Sequence, residues 1–274
     1  MPKYLLVAVD IDGTLLTSDK DILPDTIESI TEASKKGIHI VYCSGRSPVE
    51  MQSFINILNT VRYGICMSGA LVYDFKEQKI IYINSIPKEY IKEIIKVSLE
   101  DDAMVQLLTE KESIVRKDQI THMEDFQMKE YYPMYIKICK TVNNMETEAE
   151  NYDFIPKINI YFHTRKERQK AYEKIKELPL SFAFGGKTAL EITADSVTKG
   201  NSLTKLAKYL DIPMEKVIGI GDGDNDISFL SIVGLPIAMG NANENVKAIC
   251  KDITDDNNHN GTGKAIYKYC LDKK

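Results

Sequence analysis

The chain has 274 residues, of which 43% are hydrophobic and 27% charged, and its net charge is -5. Length and balance fit one or two ordinary globular domains with a real core. The acidic balance excludes a broad nucleic-acid-binding face, which must be basic, but leaves room for a local basic pocket holding a phosphorylated small molecule.

Residues 4–9 form an apolar strand that is too short for a signal peptide or a membrane span, and Asp10 interrupts it. Residues 24–36 read as a helix: Ile27, Ile30 and Ala33 fall at helical spacing, Pro24 suits a first turn and Gly37 stops it. A second strand at 38–43, a helix at 48–59 and a third strand at 65–67 follow. This alternation predicts a parallel sheet covered on both faces. The pattern then changes to a hairpin (70–73 and 79–83) and a helix at 87–99. Mixed strands follow at 105–108, 135–138, 157–162 and 182–184, with a charged helix at 165–178. After residue 189 the alternation returns: strand 190–193, helix 199–210, strand 217–220, helix 227–233, strand 235–238 and helix 242–250. The predicted class is α/β: a Rossmann-like parallel-sheet core (1–84 and 189–274) with an inserted α+β cap (85–188), hinged near 84–87 and 185–191.

Chemistry concentrates after the apolar strands. Asp10 and Asp12 sit two residues apart where the first strand ends. Strand periodicity points them the same way. Two adjacent anions repel and raise each other's pKa, so a site that keeps both ionised needs a cation, and oxygen ligands favour Mg2+. Ser44-Gly45-Arg46 follows the second strand, and Asp222-Gly223-Asp224-Asn225-Asp226 follows that at 217–220. In an open parallel sheet these clusters belong at one edge, where ligands bind. Lys199 opens a helix after another strand, although a cation is unfavourable at a helix N-terminus, so its place there asks for a reason. Together they supply the parts of a phosphoryl-transfer site: nucleophile, metal ligands, oxygen donors and a proton carrier.

In this combination and order, Asp10-Ile11-Asp12-Gly13-Thr14, Ser44-Gly45-Arg46, Lys199-Gly200 and Gly221 to Asp226 resemble the haloacid dehalogenase-like (HAD) phosphatases, more narrowly their Cof-type members with a large inserted cap. The resemblance spans essentially the whole chain. It implies a HAD-like fold and Mg2+-dependent hydrolysis of small phosphomonoesters, such as sugar phosphates, through an aspartyl-phosphate. Asp10 would be the nucleophile and Asp12 the acid and base. Asp10, Asp222, the Asp12 carbonyl and, in an outer or alternate position, Asp226 would hold Mg2+. Ile11, Ser44, Gly45, Arg46, Lys199 and Asn225 would bind phosphate or substrate. Within that set, Lys199 would also neutralise charge at the nucleophile. Asn225 would orient Lys199 or bond the phosphate, and Arg46 would bridge to the cap or touch substrate. One position departs: the family often has Asn before the Gly-Ala that follows the third strand, and here it is Ser68.

Similar-looking motifs fail. A P-loop ending at Gly186-Lys187-Thr188 would need glycine at Ser181; a dinucleotide fingerprint from Gly219 would need glycine at Asp224. An EF-hand loop from Asp222 would need glycine at Ile227. Five scattered cysteines without C-x-x-C read as reduced thiols of a cytoplasmic protein. The expected partner is a small phosphorylated metabolite, with no nucleic acid and no membrane, and the chain is expected to be a monomer or weak homodimer. Two rival functions are a sugar phosphomutase using the same site and a non-catalytic phospho-metabolite sensor.

Overall fold

Short, wholly apolar runs become strands buried on both faces, and the amphipathic segments between them become the covering helices. In the computed structural model, which describes residues 2–271, the chain runs β1 (Leu6–Val9), α1 (Pro24–Lys35), β2 (His39–Cys43), α2 (Gln52–Ile57), β3 (Tyr63–Cys66), β4 (Leu71–Asp74) and β5 (Lys79–Ile83). Next come α3 (Lys88–Leu99), β6 (Met104–Leu108), β7 (Ser113–Arg116), α4 (Lys117–Ile120), α5 (Tyr132–Ile138), β8 (Cys139–Val142), α6 (Met145–Ala149), β9 (Lys157–Tyr161), α7 (Arg165–Ile175), β10 (Leu180–Gly185) and β11 (Ala189–Ala194). The last stretch is α8 (Lys199–Tyr209), β12 (Val217–Gly221), α9 (Ile227–Leu230), β13 (Leu235–Ala238), α10 (Glu244–Ile249), β14 (Asp252–Ile253) and α11 (Gly261–Cys270). Among the described residues no helix is long and apolar enough to cross a membrane.

The first unit holds an eight-stranded sheet in the order β14-β13-β12-β1-β2-β3-β4-β5. β1 pairs in parallel with both β2 and β12, and Val9 lies opposite Tyr42 on one side and Ile220 on the other. The three strands therefore end level. The Asp10 N–H extends the ladder to the Ile220 carbonyl at 3.0 Å. Strand order reverses at β1, which makes its carboxyl end the switch point where ligands bind in such sheets.

The second unit holds a six-stranded, mostly antiparallel sheet in the order β10-β11-β9-β6-β7-β8. Period-two alternation sends Val105, Leu107, Ile158, Ile160, Leu190 and Ile192 into a core with Ile94 and Ile95 of α3 and Ala171 and Ile175 of α7. Residues between them (Gln106, Lys157, Asn159, Tyr161, Glu191) point to the opposite face.

Three sequence expectations change. Residues 135–138 are not a strand but the end of α5, because Pro133 sits in the first turn and starts a helix there. The helix expected at 48–59 shortens to α2 after a 3-10 turn, since the Glu50 carboxylate accepts the Ser47 N–H at 2.7 Å and caps a tighter bend. The segment 189–194 is not a core strand: β11 pairs antiparallel with β9 and β10, and Gly185-Gly186-Lys187-Thr188, read above as part of a hinge, is the hairpin turn, with Gly186 at φ +47°. Contact density divides the chain at Tyr82/Ile83 and Val197/Thr198, and groups Ser47–Glu50 with the second unit.

The β4–β5 turn shows how a buried charge is satisfied here. The Asp74 carboxylate accepts Arg62 Nε at 2.9 Å and Nη2 at 2.7 Å, and the N–H groups of Lys76 and Glu77 at 3.1 Å. Burial alone would raise its carboxyl, but Arg62 and the two turn N–H groups outweigh this and hold it below the usual range. The stabilisation is therefore complete above the ordinary carboxylate pKa and is lost as pH falls through the lowered one. Asp74→Ala is expected to cost about 1–3 kcal/mol at pH 7. Urea unfolding should show the gap from the parent narrowing toward pH 3; a gap independent of pH would contradict this account.

Candidate active site

Each site residue is placed by a local constraint. Asp10 follows β1 with 5% of its surface exposed. Gly13 makes the turn beyond it at φ +86°, and a Cβ there would lie 2.5 Å from Asp222 Oδ2. Only glycine fits both the left-handed backbone and that close approach. Lys199 begins α8, whose N-cap Thr198 accepts the Asn201 N–H at 3.0 Å. Gly200 lets α8 meet α9, because a Cβ there would stand 2.1 Å from the Ser228 carbonyl. After β3, Met67, Ser68 and Gly69 all have positive φ, and the Ser202 hydroxyl in α8 bonds the Gly69 carbonyl, so a strained turn buttresses the helix that presents Lys199.

The Lys199 ammonium, 1% exposed, lies 2.6 Å from Asp10 Oδ1 and 2.6 Å from Asp226 Oδ1. This is the reason for a buried cation at a helix start. Asp226 Oδ2 accepts the N–H groups of Asp222 (3.0 Å) and Gly223 (3.1 Å), which folds the acidic loop so that Oδ1 faces Lys199. Thr14 Oγ1 donates to Asp222 Oδ1 at 2.7 Å. Asp10, Asp222 and Asp226 bring carboxylate oxygens within 4.8 Å of one another.

The charges explain the shifts. Burial pushes the Asp10 carboxyl well above its usual range; Lys199 opposes this, while Asp226 and Asp222 add to it. Asp222 is likewise raised by burial, with the Thr14 hydrogen bond opposing. Burial alone would lower the Lys199 ammonium, but Asp10 and Asp226 reverse that and keep it protonated. One ammonium faces three carboxyl groups, so a divalent cation would favour their ionised forms.

The donor set fits Mg2+. Its ligands are hard oxygens. Both Asp226 oxygens are engaged, on Lys199 and on the two loop N–H groups, whereas Asp10 Oδ2 and Asp222 Oδ2 have no hydrogen-bond partner among the described residues. The space beside Asp222 Oδ2 is the space that a side chain at position 13 would fill.

Asp12 is set apart from this cluster. Its carboxylate, 42% exposed, takes Arg46 Nε and Nη2 at 2.8 Å each and Lys20 Nζ at 3.3 Å. Partial desolvation raises the group, and the two cations more than reverse it, so its pKa sits below the usual range. Ser44 is buried, its N–H donates to the Ile65 carbonyl at 2.8 Å, and its hydroxyl accepts the Arg46 N–H at 3.2 Å. Ile11 is buried and its carbonyl accepts the N–H groups of Leu15 and Leu16. Gly45 lies in the bend between Ser44 and Arg46. Asn225 occupies a 3-10 turn beside Asp226, and it is Asp226 that orients Lys199. Asp224 tethers its loop through Asn243 and Asn245.

The sequence thus named the residues that the fold brings together: Asp10, Lys199, Asp222 and Asp226 in one cluster, Asp12 and Arg46 in an adjacent one. It missed the pairing of Arg46 with Asp12, the role of Thr14 and the bond from Asn241 to Gly13 (2.8 Å). Thr14 lies inside the first motif and carried a signal; Asn241 is 228 residues from its partner and carried none.

A cluster of buried carboxylates around one buried lysine, at the switch point of a doubly wound sheet, defines an aspartate-centred α/β enzyme. The chain belongs to the haloacid dehalogenase-like hydrolase family, whose model matches residues 7–266. A Streptococcus pyogenes protein bearing a provisional phosphatase name is 30% identical, over 97% of this chain and 98% of its own. The pyridoxal phosphate phosphatase YbhA of Escherichia coli is 27% identical over 97% and 98%. The crystal structure of a haloacid dehalogenase-like hydrolase from Bacteroides thetaiotaomicron shares the fold at a TM-score of 0.87, with 23% identity, covering 97% of this chain and 99% of that one. By this kinship the chain is an enzyme, a phosphatase of that family.

Proposed function

We propose that this phosphatase is Mg2+-dependent and hydrolyses small phosphomonoesters through an aspartyl-phosphate on Asp10. The observation that carries this reading is the Asp10 carboxylate: one oxygen is held by Lys199, the other has no hydrogen-bond partner among the described residues, and the group lies in a cluster with Asp222 and Asp226. Asp10 Oδ2 attacks phosphorus as the bond to the leaving oxygen breaks. Asp12, once released from Arg46 and protonated from solvent, gives that oxygen its proton and then takes one from the water that hydrolyses the aspartyl-phosphate. Lys199 offsets charge on Asp10 and the phosphoryl oxygens. Ser44, Arg46 and the backbone around Ile11 and Gly45 hold the phosphoryl group, with Asn225 at the rim. Asp10, Asp222 and the Asp12 carbonyl would hold Mg2+, which would supply further positive charge, with Asp226 behind Lys199.

In this reading the second unit selects the substrate. The polar face of its sheet supports that role. The Glu50 carboxylate accepts Gln106 Nε2 at 2.9 Å, so Gln106 Oε1 faces Asn159 Nδ2 at 2.9 Å. That leaves Asn159 Oδ1 buried and without a hydrogen-bond partner among the described residues. Across the strand pair from Asn159, Glu191 is bonded to Lys157 at 2.6 Å. One unengaged acceptor on a polar sheet face suits a hydroxyl-bearing group such as a sugar.

Phosphate release from sugar phosphates, nucleotides, pyridoxal phosphate and an aryl phosphate, measured with Mg2+ and with EDTA, tests the proposal. The expected result is release from a subset, lost in EDTA and restored by Mg2+. Release that persists in EDTA would overturn the metal requirement. No release from any ester would overturn the substrate class and favour a mutase or a sensor.

A further inference from the structure

A fourth loop reaches the carboxyl edge of the first sheet, after β13, and no motif above includes it. Its backbone and side chains join the two loops that carry the carboxylates. Asn241 Nδ2 donates to the Gly13 carbonyl at 2.8 Å, and Asn241 Oδ1 accepts the Asn257 N–H at 3.1 Å. Two residues on, the Asn243 N–H donates to the Asp222 carbonyl at 3.2 Å. The Met239 N–H donates to the Gly221 carbonyl at 3.0 Å.

We propose that Asn241 is a positioning residue that sets the spacing of Asp10 and Asp222 for the divalent cation; this rests on the Mg2+ reading above. The Gly13 carbonyl belongs to the peptide that leads into Thr14, and the Thr14 hydroxyl holds Asp222 Oδ1 at 2.7 Å. That peptide also follows the left-handed Gly13, which packs so near Asp222 that a Cβ there would lie 2.5 Å from Oδ2. Thr262 Oγ1 holds the next carbonyl, that of Thr14, at 2.9 Å. Asn241 thus fixes one end of a short rigid link between the β1 and β12 loops. Asn241 is itself exposed and buries little surface, so its worth lies in orientation rather than in packing.

The test compares Asn241→Ala with Asn258→Ala. Asn258, in the turn before α11, pairs with Ser18 farther along the segment after β1 and is hydrogen-bonded to neither Gly13 nor Asp222. Thermal unfolding is followed over a Mg2+ titration without substrate, and kcat and KM are then measured on an aryl phosphate. For Asn241→Ala the Mg2+ midpoint is expected to rise about tenfold or more, as for other residues that orient metal ligands. kcat should fall while KM changes little, and the melting temperature in EDTA should stay near the parent's. An unchanged Mg2+ midpoint overturns the inference, and so does an equal shift in Asn258→Ala. If Mg2+ does not stabilise the parent protein, the metal reading itself fails and the inference falls with it.

Discussion

Asp10→Asn is expected to reduce turnover by about a thousandfold or more, because a carboxamide cannot form the aspartyl-phosphate. The fold should survive, and without metal the variant should be as stable as the parent or more so. Asp10 sits among Asp222 and Asp226, and burial drives its carboxyl upward. Replacing a desolvated anion with a neutral group of the same shape removes repulsion, while Lys199 keeps Asp226 as its partner. Active sites that hold like charges together give up stability for function, so removing one charge returns some of it. Mg2+ should then stabilise the variant less than the parent, since one of its carboxylates is gone. Thermal unfolding in EDTA and in Mg2+, beside a phosphate-release assay, reads all three effects. Turnover within tenfold of the parent would remove Asp10 from the nucleophile role. A large fall in melting temperature in EDTA would show that the Asp10–Lys199 pair stabilises the fold more than the carboxylate repulsion costs it.

Lys199→Met is expected to fail in the opposite way, losing both activity and stability. The ammonium is 1% exposed and lies 2.6 Å from each of two buried carboxylates. Methionine fills much of the same volume but leaves both anions without a counter-charge. Breaking a buried pair from one side costs about 3–5 kcal/mol. Turnover should fall about a hundredfold or more, as charge on the phosphoryl oxygens loses its partner. Mg2+ should restore part of the stability, because it supplies positive charge to the same carboxylates, but not the activity. Calorimetry in EDTA and in Mg2+ tests this. An unchanged melting temperature in EDTA would show that Asp10 and Asp226 do not depend on Lys199 for their charge balance.

Both expectations concern residues that stand in short local motifs of the sequence. The candidate site motifs were legible because each is local. A strand end followed by Asp10-x-Asp12-Gly13, a turn at Ser44-Gly45-Arg46 and the acidic loop at 222–226 each need only a few neighbouring residues to take shape. Parallel pairing with aligned strand ends then brings them to one edge without further instruction, as the level ends of β1, β2 and β12 show. Errors fell where the local pattern admitted two answers. The segment 135–138 is short and apolar, and only the Pro133 first turn distinguishes helix from strand. The strand at 189–194 has the same alternation in either sheet, and its partners, β9 and β10, decide where it belongs.

Hydrophobic period and turn chemistry act over a few residues, so the α/β class, a second unit and the candidate site residues Asp10, Asp12, Lys199 and Asp222 were all readable from local pattern. Only the tertiary structure decided that Arg46 holds Asp12 away from the carboxylate cluster, that both Asp226 oxygens are engaged, and that Asn241 reaches back to Gly13. These are contacts between segments separated by 27 to 228 residues, apart from the turn of Asp226 onto its own loop. Their partners are chosen by which loop ends emerge side by side from the sheet, and that depends on strand order and register, which no local pattern encodes.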